Sequence, residues 1–452
     1  MLPVNVRFEM GQAMRIFREC LEQMSLRKSR SAVFGAILTG VTVLAMSGMA
    51  HAIDDGDDNS WMRFGGQYGS TGDWQQPYDR GFARKYESQP VRGYPTVEPG
   101  NVAPLKAAIA RYAKIVSNGG WRPLTTKYKL RVGNSGPVVR QLRKRLAITG
   151  DLRGRGGFLQ TFDYYVERAV KRFQRRNGLT PTGFVDKTTI MALNVPAATR
   201  LQQLRINLTR LQALILKRKT KYILVNIPAA QVEAIENDHV ISRHSGVVGK
   251  LQRQTPILTS YVADISFNPY WTVPPTVLHK DLIPKARQYA QHGKDILEAY
   301  HMKAFDRSGK RLDPHSIDWN SDEVYKYTYR QDPWEDNSMG FVKIHFPNKY
   351  SVFLHDTPSK SVFGRNFRAD SSGCVRVQNI QHLVAWILKE NGWNDERVAE
   401  IKRSKETLRV RPKVRVPVVL AYLTAWATPD GVVNFRRDVY GRDNVDVTAS
   451  AY

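Results

Sequence analysis

The chain's 452 residues suffice for two or three domains and a sizeable core. Only two cysteines occur, Cys20 and Cys374, and the formal net charge is +27. If Cys20 lies in a leader, the body keeps a single thiol, which can neither close an internal disulfide nor hold a metal alone. No His-x-x-x-His or paired-cysteine spacing appears, so no metal and no cofactor is expected.

Residues 1–30 carry six Arg or Lys ahead of an apolar run from Ala32 to Met46 and the small-x-small sequence Ala50-His51-Ala52. Residues 1–52 therefore read as a signal peptide cut at that site, or as an uncleaved membrane anchor. The anchor reading stands because Ala32 to Ala50 approaches the roughly 20 residues that span a bilayer. Either way the body is expected to be exported to the periplasm or cell envelope, anchored in the inner membrane if the segment is kept. Beyond residue 52 the formal charge is +24, from 62 basic and 38 acidic residues. Export removes nucleic acid as a partner and leaves anionic wall polymer, an anionic membrane surface, or a merely solvated basic face. Residues 53–95 open with Asp54-Asp55-Gly56-Asp57-Asp58 and scatter Trp61, Phe64, Tyr68 and Trp74 without helical or strand period. They read as a flexible tether.

In residues 96–129, Leu105, Ile109, Tyr112, Ala113 and Val116 fall at helical spacing and stop at Gly119-Gly120, a helical scaffold segment. Residues 130–196 hold three short apolar stripes: Val138, Val139, Leu142 and Leu146; Val166, Ala169, Val170 and Phe173; Thr189, Ile190 and Leu193. A compact three-helix domain of this size suits binding better than chemistry. Leu130-Arg131-Val132-Gly133-Asn134-Ser135-Gly136, Ala169-Val170-Lys171-Arg172-Phe173-Gln174 and Gly178-Leu179-Thr180-Pro181-Thr182-Gly183 resemble the peptidoglycan-binding type 1 domain. Phe173, Leu179 and Gly183 read as core and turn positions. Arg153-Gly154-Arg155-Gly156-Gly157 is an insertion relative to the shortest versions. Residues 197–219, with Leu201, Leu204, Leu208, Leu211 and Ile215 in one stripe, predict a linking helix that packs in the core or forms a dimer seam.

Residues 220–400 turn mainly β. Strands are expected at Tyr222 to Pro228, Gln231 to Ile235, Ser242 to Val248 and Tyr261 to Phe267. Asn268 to Pro275 reads as a cleft wall, with Tyr270 and Trp271 against a sugar or peptide, or packed at a sheet edge. Residues from about 277 to 337 break the pattern, either as an inserted lid that excludes water or as a structural excursion. Val342 to Phe346 and Tyr350 to Leu354 read as a hairpin with His355 at its exit. Ile380 to Leu388 reads as a helix. In the tail, 401–452, Arg415 to Asp438 reads as two strands around Thr428-Pro429-Asp430-Gly431, covering a sheet edge.

The chemistry centres on Ser371-Ser372-Gly373-Cys374-Val375-Arg376. Small residues before Cys374 suit a tight exposed turn, Gly373 admits positive φ, and backbone N–H groups around the turn can hold an oxyanion. Arg376 can meet a substrate carboxylate or brace the loop. His355, at a strand end, is the expected base and would make the thiol acidic. The bland alternative is a buried free cysteine and an unrelated histidine.

His355-Asp356-Thr357, followed nineteen positions later by Cys374 in Ser-Ser-Gly-Cys-Val-Arg-Val, resembles the active-site signature of the L,D-transpeptidases with a YkuD-type domain. Many members have His where this chain has Ser372, so that neighbour's role does not carry over. The resemblance implies an α+β multidomain chain with a mainly β, sandwich-like catalytic domain and an inserted lid. It implies Cys374 as nucleophile and His355 as proton donor and acceptor; a group must orient His355, and the backbone carbonyl beside it is a better candidate than any side chain. Gly373, Arg376, Ser372, Trp271 and Tyr270 are the expected substrate-binding or oxyanion residues. Peptidoglycan stem peptides and glycan are the expected partners, with other wall-synthesis proteins alongside. The rival readings are an L,D-carboxypeptidase or other Cys/His peptidase, and a wall-binding protein with an inert thiol.

Overall fold

A computed structural model describes residues 93–126, 129–154, 158–217 and 219–444. The expected leader, the tether up to residue 92 and the tip of the basic loop at 155–157 lie outside the described residues.

Helix α1 (Val102–Ser117) buries Leu105, Ala108 and Tyr112 and ends ahead of Gly119 and Gly120, both at positive φ. The small domain follows with α2 (Pro137–Ile148), α3 (Tyr164–Arg176) and α4 (Lys187–Asn194). Its own core gathers Val139, Leu142, Leu146, Val166, Phe173 and Leu193, as the stripes required. Asp163 and Asp186 cap α3 and α4 by accepting from the N–H groups of Val166 and Thr189, at 3.0 and 2.8 Å. α5 (Ala197–Ile215) then lays Leu201, Leu204 and Leu211 against α1 and against Tyr222, Leu224 and Val419 of the sheet. Its stripe is therefore core, not a dimer seam.

Residues 221–267 and 342–421 build one curled eleven-stranded sheet. In chain order its strands are β1 (Lys221–Asn226), β2 (Gln231–Glu236), β3 (His239–Gly249), β4 (Leu258–Tyr261) and β5 (Asp264–Phe267). After the insertion described below, which holds β6 to β8, come β9 (Val342–His345), β10 (Leu354–His355), β11 (Ala369–Ser371) and β12 (Val375–Val377). β13 (Leu408–Val410) and β14 (Pro417–Ala421) complete it. They run in the order β13-β5-β9-β10-β12-β3-β2-β1-β14-β4, with β11 beside β3.

This order forces the curl. β4 and β5 sit eight places apart, about 38 Å across a flat sheet at ~4.8 Å per strand. Only Val262 and Ala263 join them, a reach of about 11 Å. The single strand expected from Tyr261 to Phe267 is thus broken at that pair, and the pair bridges the two ends of the sheet. The Val262 N–H donates to the Val416 carbonyl at 2.8 Å and the Ala263 N–H to that of His345 at 2.9 Å.

Three further differences matter. First, the segment after Asn268 has its own antiparallel sheet, β6 (Trp271–Thr272), β7 (Met302–Phe305) and β8 (Thr328–Gln331), ordered β6-β8-β7. Between β6 and β7, Pro275–Val277 runs through a π-turn, Leu278–Leu282, into α6 (Ile283–Gln291), and α7 (Ile296–Ala299) follows. Leu282, Ile283, Ala286 and Ile296 join the same core as the sheet, so the insertion is a packed subdomain. Second, the run from Tyr350 shrinks to β10, because Ser351 takes φ 54° and Asn348 folds the preceding turn onto itself. Asn348 Nδ2 donates to the carbonyls of Phe346 and Val352, both at 2.8 Å. Third, Arg415 to Asp438 is not one hairpin at an edge. β14 lies parallel to β1 inside the sheet, and only β15 (Ala425–Ala427) and β16 (Val433–Phe435) form a hairpin, which packs on α1 and α5. Helices α8 (Ile380–Ile387) and α9 (Asp395–Ser404) pack Leu383, Val384 and Val398 into the sheet's core.

In the small domain, Arg176 and Asp151 form a pair at 2.5 Å with both side chains nearly sealed from water. Removing one partner strands the other's charge, so Asp151→Ala should cost about 3–5 kcal/mol in denaturant unfolding. A cost under about 1 kcal/mol would contradict that reading.

Candidate active site

β10 lies between β9 and β12 and pairs with β12 in parallel, Leu354 opposite Val375 and His355 opposite Arg376. The Val375 N–H donates to the Phe353 carbonyl at 3.0 Å, which carries the pairing one residue back, with Cys374 opposite Phe353. Side chains alternate across a strand. Leu354 and Val375 therefore enter the core, while Phe353, Cys374, His355 and Arg376 share the other face. That face is the floor of a cleft of about 290 Å³. Diagonal neighbours of this kind lie within reach of long side chains. The Phe353 ring meets that of His355 edge-on, with centroids 5.6 Å apart.

The structure thus brings Cys374, His355, Arg376 and Ser372 to one cleft, and Trp271 with them, in the wall formed by the start of the insertion. Tyr270 is not brought there. It is 51% exposed, and Arg330 sits over its ring at 4.9 Å. The alternation that turns Trp271 inward turns its neighbour out, which corrects Tyr270 as a cleft residue. Ser338 and Met339 on one side and Lys349 to Val352 on the other complete the walls. No spacing cue marks them in the sequence, since they arrive from two separate loops.

Gly373 takes φ 112°, as its place in the turn requires, but its amide is turned inward. Its N–H donates to Ser371 Oγ at 3.2 Å and its carbonyl accepts from Thr255 Oγ1 at 2.8 Å. Ser371 Oγ in turn donates to the Cys374 carbonyl at 2.5 Å. Gly373 is therefore corrected from oxyanion donor to loop brace. Among the described residues the Cys374 N–H meets no acceptor, nor does Arg376 Nη1, which is buried. Ser372 Oγ accepts from Arg253 Nη1 at 2.8 Å, and Arg253 grips Asp281 of the π-turn with both nitrogens. This ties the Cys374 loop to the insertion. Neither Arg253 nor Asp281 stands in a pattern that reveals it from sequence.

The electrostatics run against an acidic thiol. Burial pushes Cys374 up to about 11, although the Phe353 backbone, Lys343 and Arg376 favour the thiolate. Burial pushes His355 down to about 3, helped by Arg376, Lys343 and Lys360 and opposed by the Asp356 backbone. Both shifts favour a neutral thiol and a neutral imidazole at rest. His355 Nδ1 is buried, and no hydrogen bond of ordinary geometry reaches it. The Asp356 backbone favours its protonated form. The Cys374 thiol faces the Ser351 carbonyl at 3.9 Å.

Residues 220–418 match the model of the YkuD family, described as the L,D-transpeptidase catalytic domain. Residues 135–193 match a second model, described as "Putative peptidoglycan binding domain". A Haemophilus influenzae protein named "Putative L,D-transpeptidase" is 34% identical over 222 residues, 49% of this chain. The match spans 44% of that relative's own length. Among solved structures, a Stackebrandtia nassauensis L,D-transpeptidase is similar at 13% identity with a TM-score of 0.25, over 66% of this chain and 96% of that one. An L,D-transpeptidase from Mycobacterium smegmatis is similar at 12% identity with a TM-score of 0.22, over 44% of this chain and 58% of that one. Within the YkuD segment, Ser372 stands where many members have His, and its hydroxyl serves to hold the loop through Arg253.

Two measurements follow from the charge states. Alkylation of Cys374 by iodoacetamide should accelerate about tenfold per pH unit from 7 to 9, since thiolate forms only toward about 11. A plateau below about 8 would contradict the burial argument. Burial also holds His244 down to about 4. A histidine whose folded value is depressed takes up a proton on unfolding, so its stabilisation is present above about 6.5 and lost as pH falls toward the folded value. Stability in urea should therefore fall by about 2–3 kcal/mol per unit between pH 6 and 5, with His355→Gln removing about half. A flat profile would contradict both assignments.

Proposed function

We propose that the protein is an exported peptidoglycan L,D-transpeptidase working through a cysteinyl acyl-enzyme. The observation that carries this is the shared face on which Cys374, His355 and Arg376 floor one cleft. The YkuD match and the peptidoglycan-binding match favour a wall stem peptide as substrate. Export is supported by the basic flank, apolar run and Ala50-His51-Ala52 of the leader. A mature chain whose measured mass begins at Ile53 would bear out cleavage, and one retaining Met1 would point to the anchor.

In the first half-reaction His355 takes the proton of Cys374 as the sulfur attacks the carbonyl of an L-to-D peptide bond. The S–C bond forms, the C–N bond breaks, and the proton passes from His355 to the departing amine. In the second half, the amine of another stem attacks the thioester, His355 receives its proton, and the thiol is restored. The Cys374 N–H is the donor left for the oxyanion, and Arg376 is a fixed cation for a stem carboxylate. A neutral resting pair suits this cycle, because both groups begin and end uncharged.

Incubation with tetrapeptide-bearing muropeptides and product analysis by mass tests the reading. The native chain should form crosslinked dimers, Cys374→Ala none, and His355→Gln should be slower by roughly 10²–10⁴-fold. Equal crosslinking by Cys374→Ala would refute the mechanism. Tripeptide alone, formed in the presence of an amine acceptor, would make the enzyme a carboxypeptidase instead.

A further inference from the structure

Between the small helical domain and the catalytic sheet lies a crevice of about 170 Å³, which shares no residue with the Cys374 cleft. The end of α3 and the turn Gly178 to Thr180 form one wall. The β2–β3 ribbon, the loop around Asn366 and Gln378 form the other. Asn366 joins the two domains there, its Oδ1 accepting from the Thr180 N–H and Oγ1, both at 2.8 Å.

The lining is rich in donors. Arg175, Arg243, Arg365, Arg368 and Arg436 contribute five guanidinium groups, and no Asp or Glu lines the crevice. Most of these groups are held in place: Arg243 by Glu233, Arg365 by Asp370, Arg368 by the carbonyls of Gly246 and Arg365, and Arg436 by that of Arg176. His244 adds no charge. Burial lowers it to about 4, and its ring nitrogens face the Gln378 carbonyl and Ser242 Oγ at 2.9 and 2.8 Å.

Gln378 supplies the second observation. Its residue is 3% exposed, it lines the crevice, and its Nε2 has no hydrogen-bond partner among the described residues. A buried amide donor without an acceptor destabilises the fold unless something arrives to accept from it. Guanidinium groups fixed around such a donor, with no carboxylate in the lining, fit an anionic acceptor from outside. The volume admits a carboxylate and the few carbons that bear it.

We propose that this crevice binds a carboxylate of a wall stem peptide, so that the two domains hold one strand jointly while another stem enters the Cys374 cleft. This rests on the peptidoglycan reading above. The test is calorimetric binding to the Cys374→Ala protein, which cannot turn the ligand over. The ligands are a free-acid muropeptide and the same muropeptide with its carboxylates amidated.

The free acid should bind about tenfold or more tightly than the amide, the scale of one charge-assisted hydrogen bond. Arg175→Glu and Gln378→Leu, each added to Cys374→Ala, should cut that ratio several-fold, with the thermal midpoint unchanged in the first and raised in the second, which removes the unpaired donor. An unchanged ratio in both variants, or no measurable binding, overturns the proposal. Displacement of the muropeptide by equimolar inorganic phosphate overturns the carboxylate assignment in favour of a phosphate. The expected binding pattern in a protein that forms no crosslinks would uphold this site while overturning the transferase reading.

Discussion

The parallel pairing of β10 with β12 is the constraint on which the site depends. With Leu354 opposite Val375, two apolar side chains seal the core, and the residues on either side of each are delivered to the cleft. A slip of one residue would turn Cys374 into the core and expose Val375. The pairing needs a parallel partner for a two-residue strand, and the seventeen-residue span from Thr357 to Gly373 provides the crossover. Hydrogen bonds from Thr255 to Gly373 and from Arg253 to Ser372 pin the return of that span. The curl imposed at Val262 and Ala263 lets β5 and β9 back the short strand from its other side.

Burial then sets the chemistry. Exposed, the imidazole would be partly charged at neutral pH, and the nearby cations Lys343 and Arg376 would favour a thiolate. With His355 buried beside Phe353 and Cys374 half-buried on the cleft floor, desolvation favours the neutral forms of both, while Lys343 and Arg376 favour the thiolate. The insertion contributes by sharing the sheet's core and by anchoring Ser372 through Arg253 and Asp281, so its position and that of the Cys374 loop are linked.

Much of this was legible in the sequence, for reasons that differ by element. Helices α1 to α5 follow from apolar spacing, because each buries one face against a local core. Cys374 and His355 stood out as a lone thiol in a small-residue turn and a histidine at a strand end. The break at Val262 did not, since two β-rich segments with no Gly or Pro between them read as one strand. β14 looked like a tail element, because nothing local marks a parallel partner some two hundred residues upstream. The inward turn of the Gly373 amide and the isolation of Gln378 depend on where single hydroxyl and amide groups point. A sequence does not encode that in any short pattern.

The central claim is that Cys374 carries the acyl group. It is tested most directly by the intact mass of the protein after incubation with a stem tetrapeptide donor and no acceptor amine. An adduct equal to the donor less its terminal D-residue, mapped by fragmentation to Cys374 and missing from Cys374→Ala, is the expected result. Crosslinked or hydrolysed product formed with no adduct on Cys374, or an adduct mapped to another residue, would contradict it.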